Sequence, residues 1–139
     1  MKLILKYLLL LILSTAAYAD EIALFDGYGD AVAYVVTDDD LTIYLWDGDP
    51  VAYLVDDSTY GFNGEHLAWY KDGIFYDHDG YAMGFVEGAI IIQTNLKPLK
   101  GLKSLKSLKS LKELKPLKPS YKMQWSKYPL GLVLKTGGS

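Results

Sequence analysis

The stretch from Ile43 to Asp57, IYLWDGDPVAYLVDD, holds the pattern on which the fold prediction depends. An aromatic residue, Tyr44, stands four positions before Gly48, and a second, Tyr53, stands five positions after it. Asp47 precedes the glycine, and an Asp-Gly pair between two apolar runs is the strongest short-range signal for a β-hairpin. The stretch therefore predicts two short antiparallel strands joined at Gly48.

The same pattern occurs four times, and its glycines are 19, 16 and 16 residues apart. In each repeat an apolar residue and then a very small one lie between the glycine and the second aromatic. Polar turn clusters separate the repeats, so the strands should run up and down in sequence order. We call the four glycines the anchor glycines: Gly29, Gly48, Gly64 and Gly80.

Four such hairpins predict about eight antiparallel strands, with 89–94 as a candidate ninth. A lone hairpin is only marginally stable in water, so the four must share a core, and ring closure also removes exposed sheet edges. The sequence thus predicts an all-β fold, a small antiparallel barrel of four pseudosymmetric hairpin repeats. The small residue of each repeat should lie where equivalent strands crowd together, and the aromatics should fill or cap the barrel.

The stretch 43–57, followed by YGFNGEHLAWYKDGIFYDHDGYAMGFVEGA at 60–89, resembles the four-fold beta flower proteins. The resemblance covers about residues 22–89. It implies a shallow barrel with four hairpin petals in a bacterial protein, and it supplies no catalytic or binding residues. The first repeat departs most from the pattern, since Tyr28 replaces the Asp or Asn before Gly29.

Residues 1–19 have the three parts of a secretory signal peptide. Lys2 and Lys6 give a positive start, an apolar run follows, and small residues at 17–19 offer a cleavage site before Asp20. The apolar run is shorter than the roughly 20 residues of a spanning helix. We expect an exported protein, periplasmic or secreted, with a four-repeat domain at 20–94, a Leu-Lys linker at 95–120 and an apolar C-terminal segment at 121–139.

Charge divides the chain into two unequal parts. Residues 20–94 hold 16 Asp or Glu and the single base Lys71, whereas residues 95–139 hold 11 Lys and the single acid Glu113. The chain contains no Arg, so bidentate recognition of phosphate is absent, and no Cys, which excludes disulfides and thiolate metal sites. Export and the acidic body argue against a nucleic-acid partner.

Within the tail, Leu recurs at every third position from 96 to 117 and is followed each time by Lys. A period of three does not match an α-helix, but a polyproline-type helix with three residues per turn would keep Leu and Lys on separate sides. A disordered low-complexity linker is an equal alternative. The lysines could fold back onto the acidic body, bind anionic lipid, or belong to a solvated spacer. The run PLGLVL at 129–134 is apolar enough to dock as a strand.

Candidate site residues are few. His66 and His78 could ligate a metal with Asp77 and Asp79, but a solvent-facing His66 and a turn His78 are favoured. The run 38–40 suggests calcium only faintly. We therefore predict no catalytic, cofactor-binding or metal-ligating residues.

The predicted contact surface consists of two aromatics near turns and the lysines of the tail. These candidates are Trp46, Tyr28, Lys97, Lys100, Lys103, Lys106, Lys109 and Lys112. We expect a non-catalytic binding or scaffold module at the bacterial cell envelope, tied by its basic tail to an anionic membrane surface or an envelope protein. The alternative is a small-ligand- or metal-binding protein, or an enzyme, with its site at the barrel mouth.

Overall fold

The computed structural model describes residues 20–138, so the predicted signal peptide lies outside the described residues. Eight antiparallel strands follow one another around a closed barrel, each pairing with its sequence neighbours and β1 pairing with β8. The strands are β1 (Glu21–Asp26), β2 (Ala31–Val36), β3 (Thr42–Leu45), β4 (Pro50–Val55), β5 (Ser58–Gly61), β6 (His66–Lys71), β7 (Ile74–Tyr76) and β8 (Ala82–Val86). The predicted four-hairpin barrel is confirmed.

Each hairpin turns at its anchor glycine in the left-handed region of backbone space. Gly48 has φ +103°, and its N–H donates to the carbonyl of Leu45 at 2.8 Å. This wider turn matches a type I turn closed by a left-handed glycine, not the two-residue turn that Asp-Gly most often makes. Gly29 makes the same contact with Asp26 at 3.1 Å, so the first repeat forms its hairpin without Asp or Asn before the glycine.

Small residues line the inside of the barrel, as predicted. Ala33, Ala52 and Ala68 are fully buried, and a Cβ added to Gly84 would lie 2.3 Å from the backbone oxygen of Phe25. Successive side chains of a strand point to opposite faces, so the aromatic next to each small residue faces outward. These aromatics do not fill the barrel; they pair across the seams between neighbouring hairpins.

Three of these seam pairs stack ring on ring, and all their rings are buried. The centroids of Tyr34 and Tyr44 are 5.5 Å apart, those of Phe25 and Phe85 are 5.6 Å apart, and those of Tyr53 and Tyr60 are 6.3 Å apart. An outward ring can be buried only if another part of the chain covers it. The cover comes from the residues that follow the barrel.

The C-terminal segment corrects one sequence prediction. The run PLGLVL does not dock as a strand: a short helix, α1, spans Leu130–Lys135, and its buried residues are Leu130 and Leu134. An i, i+4 pair lies on one helix face, and here that face packs into the barrel core. Residues 89–94 form no strand either, because β1 and β8 already pair and leave no sheet edge for a ninth.

Among the described residues, 20–138, none of the helices has the length and apolar character needed to cross a membrane.

Replacing Leu134 with Ala should lower the free energy of unfolding by about 2–5 kcal/mol, because the change leaves a cavity in the barrel core. Leu132, in the same helix but 61% exposed, is the matched control, and Leu132→Ala should cost less than about 0.5 kcal/mol. Urea unfolding of both variants measures the difference. Equal losses would mean that α1 does not pack into the barrel.

Candidate functional site: the Lys-Leu belt

Residues 95–122, which we call the belt, pass all four hairpin turns in one regular register. At each turn a belt N–H donates to the carbonyl oxygen of the anchor glycine. The pairs are Asn95 to Gly29 at 2.8 Å, Ser104 to Gly48 at 2.9 Å, Glu113 to Gly64 at 2.9 Å and Lys122 to Gly80 at 2.9 Å. The donors are nine residues apart, which equals three turns of a polyproline-type helix, or about 28 Å of chain. One nine-residue unit therefore spans each gap between hairpins.

The anchor glycines also give the belt room to approach. A Cβ added to Gly48 would lie 1.9 Å from the carbonyl oxygen of Leu102, and one added to Gly64 would lie 2.2 Å from that of Leu111. Gly80 meets Ser120 in the same way at 2.0 Å. Because glycine has no Cβ, it can adopt the left-handed turn and also let the belt backbone come close.

The lysines of the belt turn inward and cover the seam aromatics. Successive units place an ammonium group over corresponding rings: Lys100 over Tyr34 at 4.4 Å, Lys109 over Tyr53 at 4.1 Å and Lys118 over Trp69 at 5.7 Å. A second set puts Lys103 over Tyr44 at 5.4 Å and Lys112 over Tyr60 at 5.8 Å. Each pair is a cation–π contact, which holds a charged group against an otherwise apolar face.

The third unit replaces the last of these lysines with an aromatic residue. Tyr121, nine positions after Lys112, packs on Tyr76 with ring centroids 4.3 Å apart. At the seam between β6 and β7, the third that the belt crosses, its last contact is thus ring–ring in place of cation–π.

A third set of lysines reaches acids in the loops between hairpins. Lys97 lies 2.6 Å from Glu87, Lys115 lies 3.2 Å from Asp57, and Lys106 contacts Asp39. Hydrogen bonds from Lys118 and Lys115 lower the pKa of Asp57 to about 2. Because these side chains are partly exposed, each ion pair alone adds little stability.

The acidic body and basic tail therefore meet within one chain. Of the alternatives for the tail, the structure has the one in which the lysines fold back onto the acidic body. Residues 95–120 are not a separate linker but a layer of the barrel's outer surface.

The leucines of the belt face away from the barrel. All eight side chains are 94–98% exposed, although leucine normally avoids water. They form a single-file row, which we call the leucine row: Leu96, Leu99, Leu102, Leu105, Leu108, Leu111, Leu114 and Leu117. Sequence reasoning separated Leu from Lys but did not choose which side would face solvent.

The two aromatic contact candidates differ. Trp46 is half-buried beneath the belt, and its Nε1 donates to the carbonyl of Pro98 at 2.9 Å. Tyr28 is 84% exposed beside a pocket of about 260 Å³ that Trp125 and Tyr128 also line. Trp46 thus holds the belt, whereas Tyr28 is open to solvent.

The histidine pair corrects another prediction, because His66 is buried and does not face solvent. Its Nδ1 lies 3.0 Å from Nε2 of His78, and its Nε2 lies 3.0 Å from the hydroxyl of Ser58. Its backbone N–H donates to the carboxylate of Glu113 in the belt at 2.7 Å. Burial, with the neighbouring His78 second, lowers the pKa of His66 to about 4.

The carboxylate of Asp77, the other candidate ligand, is already occupied. One oxygen accepts the backbone N–H groups of Asp79 and Tyr81 at 2.9 Å, and the other accepts the hydroxyl of Ser126 at 2.5 Å. Within residues 20–138, no group of three or more His, Asp or Glu side chains is placed to hold a metal ion.

The fold and the belt define a class of protein: an all-β barrel of four hairpins whose turn glycines are matched by a wrapped extension. A comparison with protein-family models matches residues 22–134 to the 4-fold beta flower protein family. The chain belongs to this family, and the match includes the belt and most of α1 as well as the barrel. No curated protein and no solved structure matches the chain.

Gly64→Ala should destabilise the protein more than Gly88→Ala. Both glycines have positive φ, +89° and +84°, so each substitution costs about 1–2 kcal/mol of backbone strain. Nothing lies within 4 Å of a Cβ on Gly88, whereas a Cβ on Gly64 displaces the belt. In Gly64→Ala the lost hydrogen bonds to the belt should add about 1–3 kcal/mol to this loss of stability. Urea unfolding of both variants measures the difference. Equal losses of stability in the two variants would show that the belt does not depend on its close contact with Gly64.

The low pKa of His66 should make stability fall in mild acid. The unfolded chain binds a proton near pH 6.5 and the folded chain only near pH 4, so this stability is complete above pH 6.5 and is lost as the pH falls to 4. The loss should be on the order of 3 kcal/mol. His66→Gln should flatten the urea-unfolding profile across this window, whereas His78→Gln, which removes only the second cause of the low pKa, should flatten it less. An unchanged profile in His66→Gln would refute the assignment.

Proposed function

We propose that this protein is a non-catalytic, exported binding or scaffold module of the bacterial cell envelope, and that the leucine row is its contact surface. The observation that carries the proposal is the exposure of eight regularly spaced leucines at 94–98%. Exposed apolar groups beyond scattered single residues mark sites of interaction with proteins or membranes. The predicted signal peptide supports an envelope location.

The register of the belt supports a binding surface more than a solvated spacer. Backbone hydrogen bonds at all four hairpins hold the belt, so the leucines remain exposed although each could turn inward in a free chain. Ordering 28 residues costs conformational entropy. The barrel recovers that cost through the lysine and backbone contacts while the leucines stay available.

The lysines are weaker candidates for the contact than the sequence suggested. Lys100 and Lys103 both lie within 2.8 Å of Glu21, and they lower the pKa of that carboxyl. An anionic surface would have to compete with the barrel for these charges. The leucines have no such competitor.

The alternative, a small-ligand or metal site at the barrel mouth, has less support. Leu130 and Leu134 of α1 are part of the barrel core. The carboxylate of Asp77 and the ring of His66 already have partners inside the protein.

Expression of the full chain in a bacterium, followed by fractionation, tests the proposal. The wild type should be exported and should remain with the washed envelope fraction. Leu102→Ser/Leu105→Ser/Leu108→Ser should move to the soluble periplasmic or secreted fraction, because the contact surface is interrupted. The matched control, Leu102→Met/Leu105→Met/Leu108→Met, keeps the apolar surface and should remain with the envelope. A wild type that stays in the cytoplasm, or that is as soluble as the serine variant, would contradict the proposal.

A further inference from the structure

We infer that the partner of the leucine row is a lipid bilayer, into which the leucines insert while the lysines stay on the barrel. This inference rests on the proposed envelope function and names the partner. It reverses the sequence expectation, in which lysines would meet anionic lipid.

The shape of the row suits lipid better than a protein surface. Neighbouring leucines are three residues apart, or about 9 Å of extended chain, and the row is one side chain wide. Four consecutive leucines cover about 28 Å and offer roughly 240–480 Å² of apolar surface. A standard protein interface buries about 800 Å² per partner in a closely packed patch. Fluid acyl chains can surround a single-file row of side chains without a matching surface.

The residues between the leucines place few charged or unpaired polar groups where they would oppose insertion into lipid. The third place of each triplet holds Gly101, Ser104, Ser107 or Ser110 in the middle of the belt, which are small and uncharged. The amide groups of three of them are already bonded to the barrel: Gly101 to Trp46 at 2.9 Å, Ser104 to Gly48 at 2.9 Å and Ser110 to Phe62 at 2.7 Å. A backbone whose N–H groups are paired costs less to bring to an apolar boundary.

The lysines flank the row without facing outward. Their ammonium groups lie over aromatic rings or beside carboxylates of the barrel, while their side chains remain a third or more exposed in the ion pairs. Long lysine side chains can place methylene groups at an interface and keep the charge in a polar region. The belt is therefore amphipathic across its thickness, with charge toward the barrel and leucine toward lipid.

Insertion and electrostatic attraction differ in their response to salt. Apolar burial does not weaken with ionic strength, whereas attraction between exposed lysines and anionic lipid is screened within a Debye length of about 10 Å at 0.1 M salt. Binding that persists in high salt and depends on the leucines therefore identifies insertion.

Flotation with pure lipid vesicles tests the inference, using the chain from Asp20 onward. Neutral phosphatidylcholine vesicles and vesicles with anionic phosphatidylglycerol are compared at 50 and 500 mM NaCl. The wild type should float with both, and the tenfold rise in salt should change binding less than threefold. Leu102→Ser/Leu105→Ser/Leu108→Ser should bind at least tenfold more weakly, and the matching Met variant should bind like the wild type. Because these leucines are exposed, thermal melts of all three proteins should coincide.

Other outcomes overturn the inference in distinguishable ways. Binding only to anionic vesicles, lost at 500 mM NaCl and unchanged by the serine variant, would return the contact to the lysines. A leucine-dependent dimer in light scattering, without flotation, would make a second copy the occupant. No flotation with a monomeric wild type would reject lipid, and envelope retention in the fractionation experiment would then leave the proposed function intact with a protein partner.

Discussion

The structure depends on the close approach between the belt backbone and the anchor glycines. At Gly48, Gly64 and Gly80 a belt carbonyl oxygen occupies the space that a side chain would take, within 2.2 Å of the Cβ position. The same glycines have positive φ and accept a belt hydrogen bond through their own carbonyls. One residue must therefore adopt a positive φ, leave room for the belt carbonyl and accept a belt hydrogen bond, and only glycine can do all three.

The contact between the belt and the anchor glycines also determines where the belt lysines point. Once the backbone is fixed every nine residues, each lysine from Lys97 to Lys118 reaches a seam ring, a carboxylate or both, and the outward face is left to leucine. Tyr34, Tyr53 and Trp69, which lie on the outside of the barrel, are buried because the belt covers them. A barrel of about 70 residues is near the lower size limit for an independent core, and the belt and α1 enlarge its buried volume.

Several features of the candidate site could not be predicted because they depend on residues far apart in the chain. The Trp46 indole bonds a backbone oxygen 52 residues away, and His66 is held by Glu113, 47 residues away. The nine-residue unit was hidden because Leu and Lys repeat every three residues; only the third place varies, with Pro98, Gly101 and Ser104 in succession. That variation does not itself repeat every nine residues, since the corresponding places 98, 107 and 116 hold Pro, Ser and Pro.

The sequence by itself determined the four hairpins, the closed all-β barrel, the positions of the anchor glycines and the opposite charges of body and tail. These are set by turn chemistry, strand periodicity and composition, all of which act within a few residues. Only the tertiary structure decided that the lysines face the barrel and the leucines face out, that 130–135 is helical, and that His66 is buried. Those outcomes required the closed barrel, since its seams, acids and glycine carbonyls form the surface against which the tail is ordered.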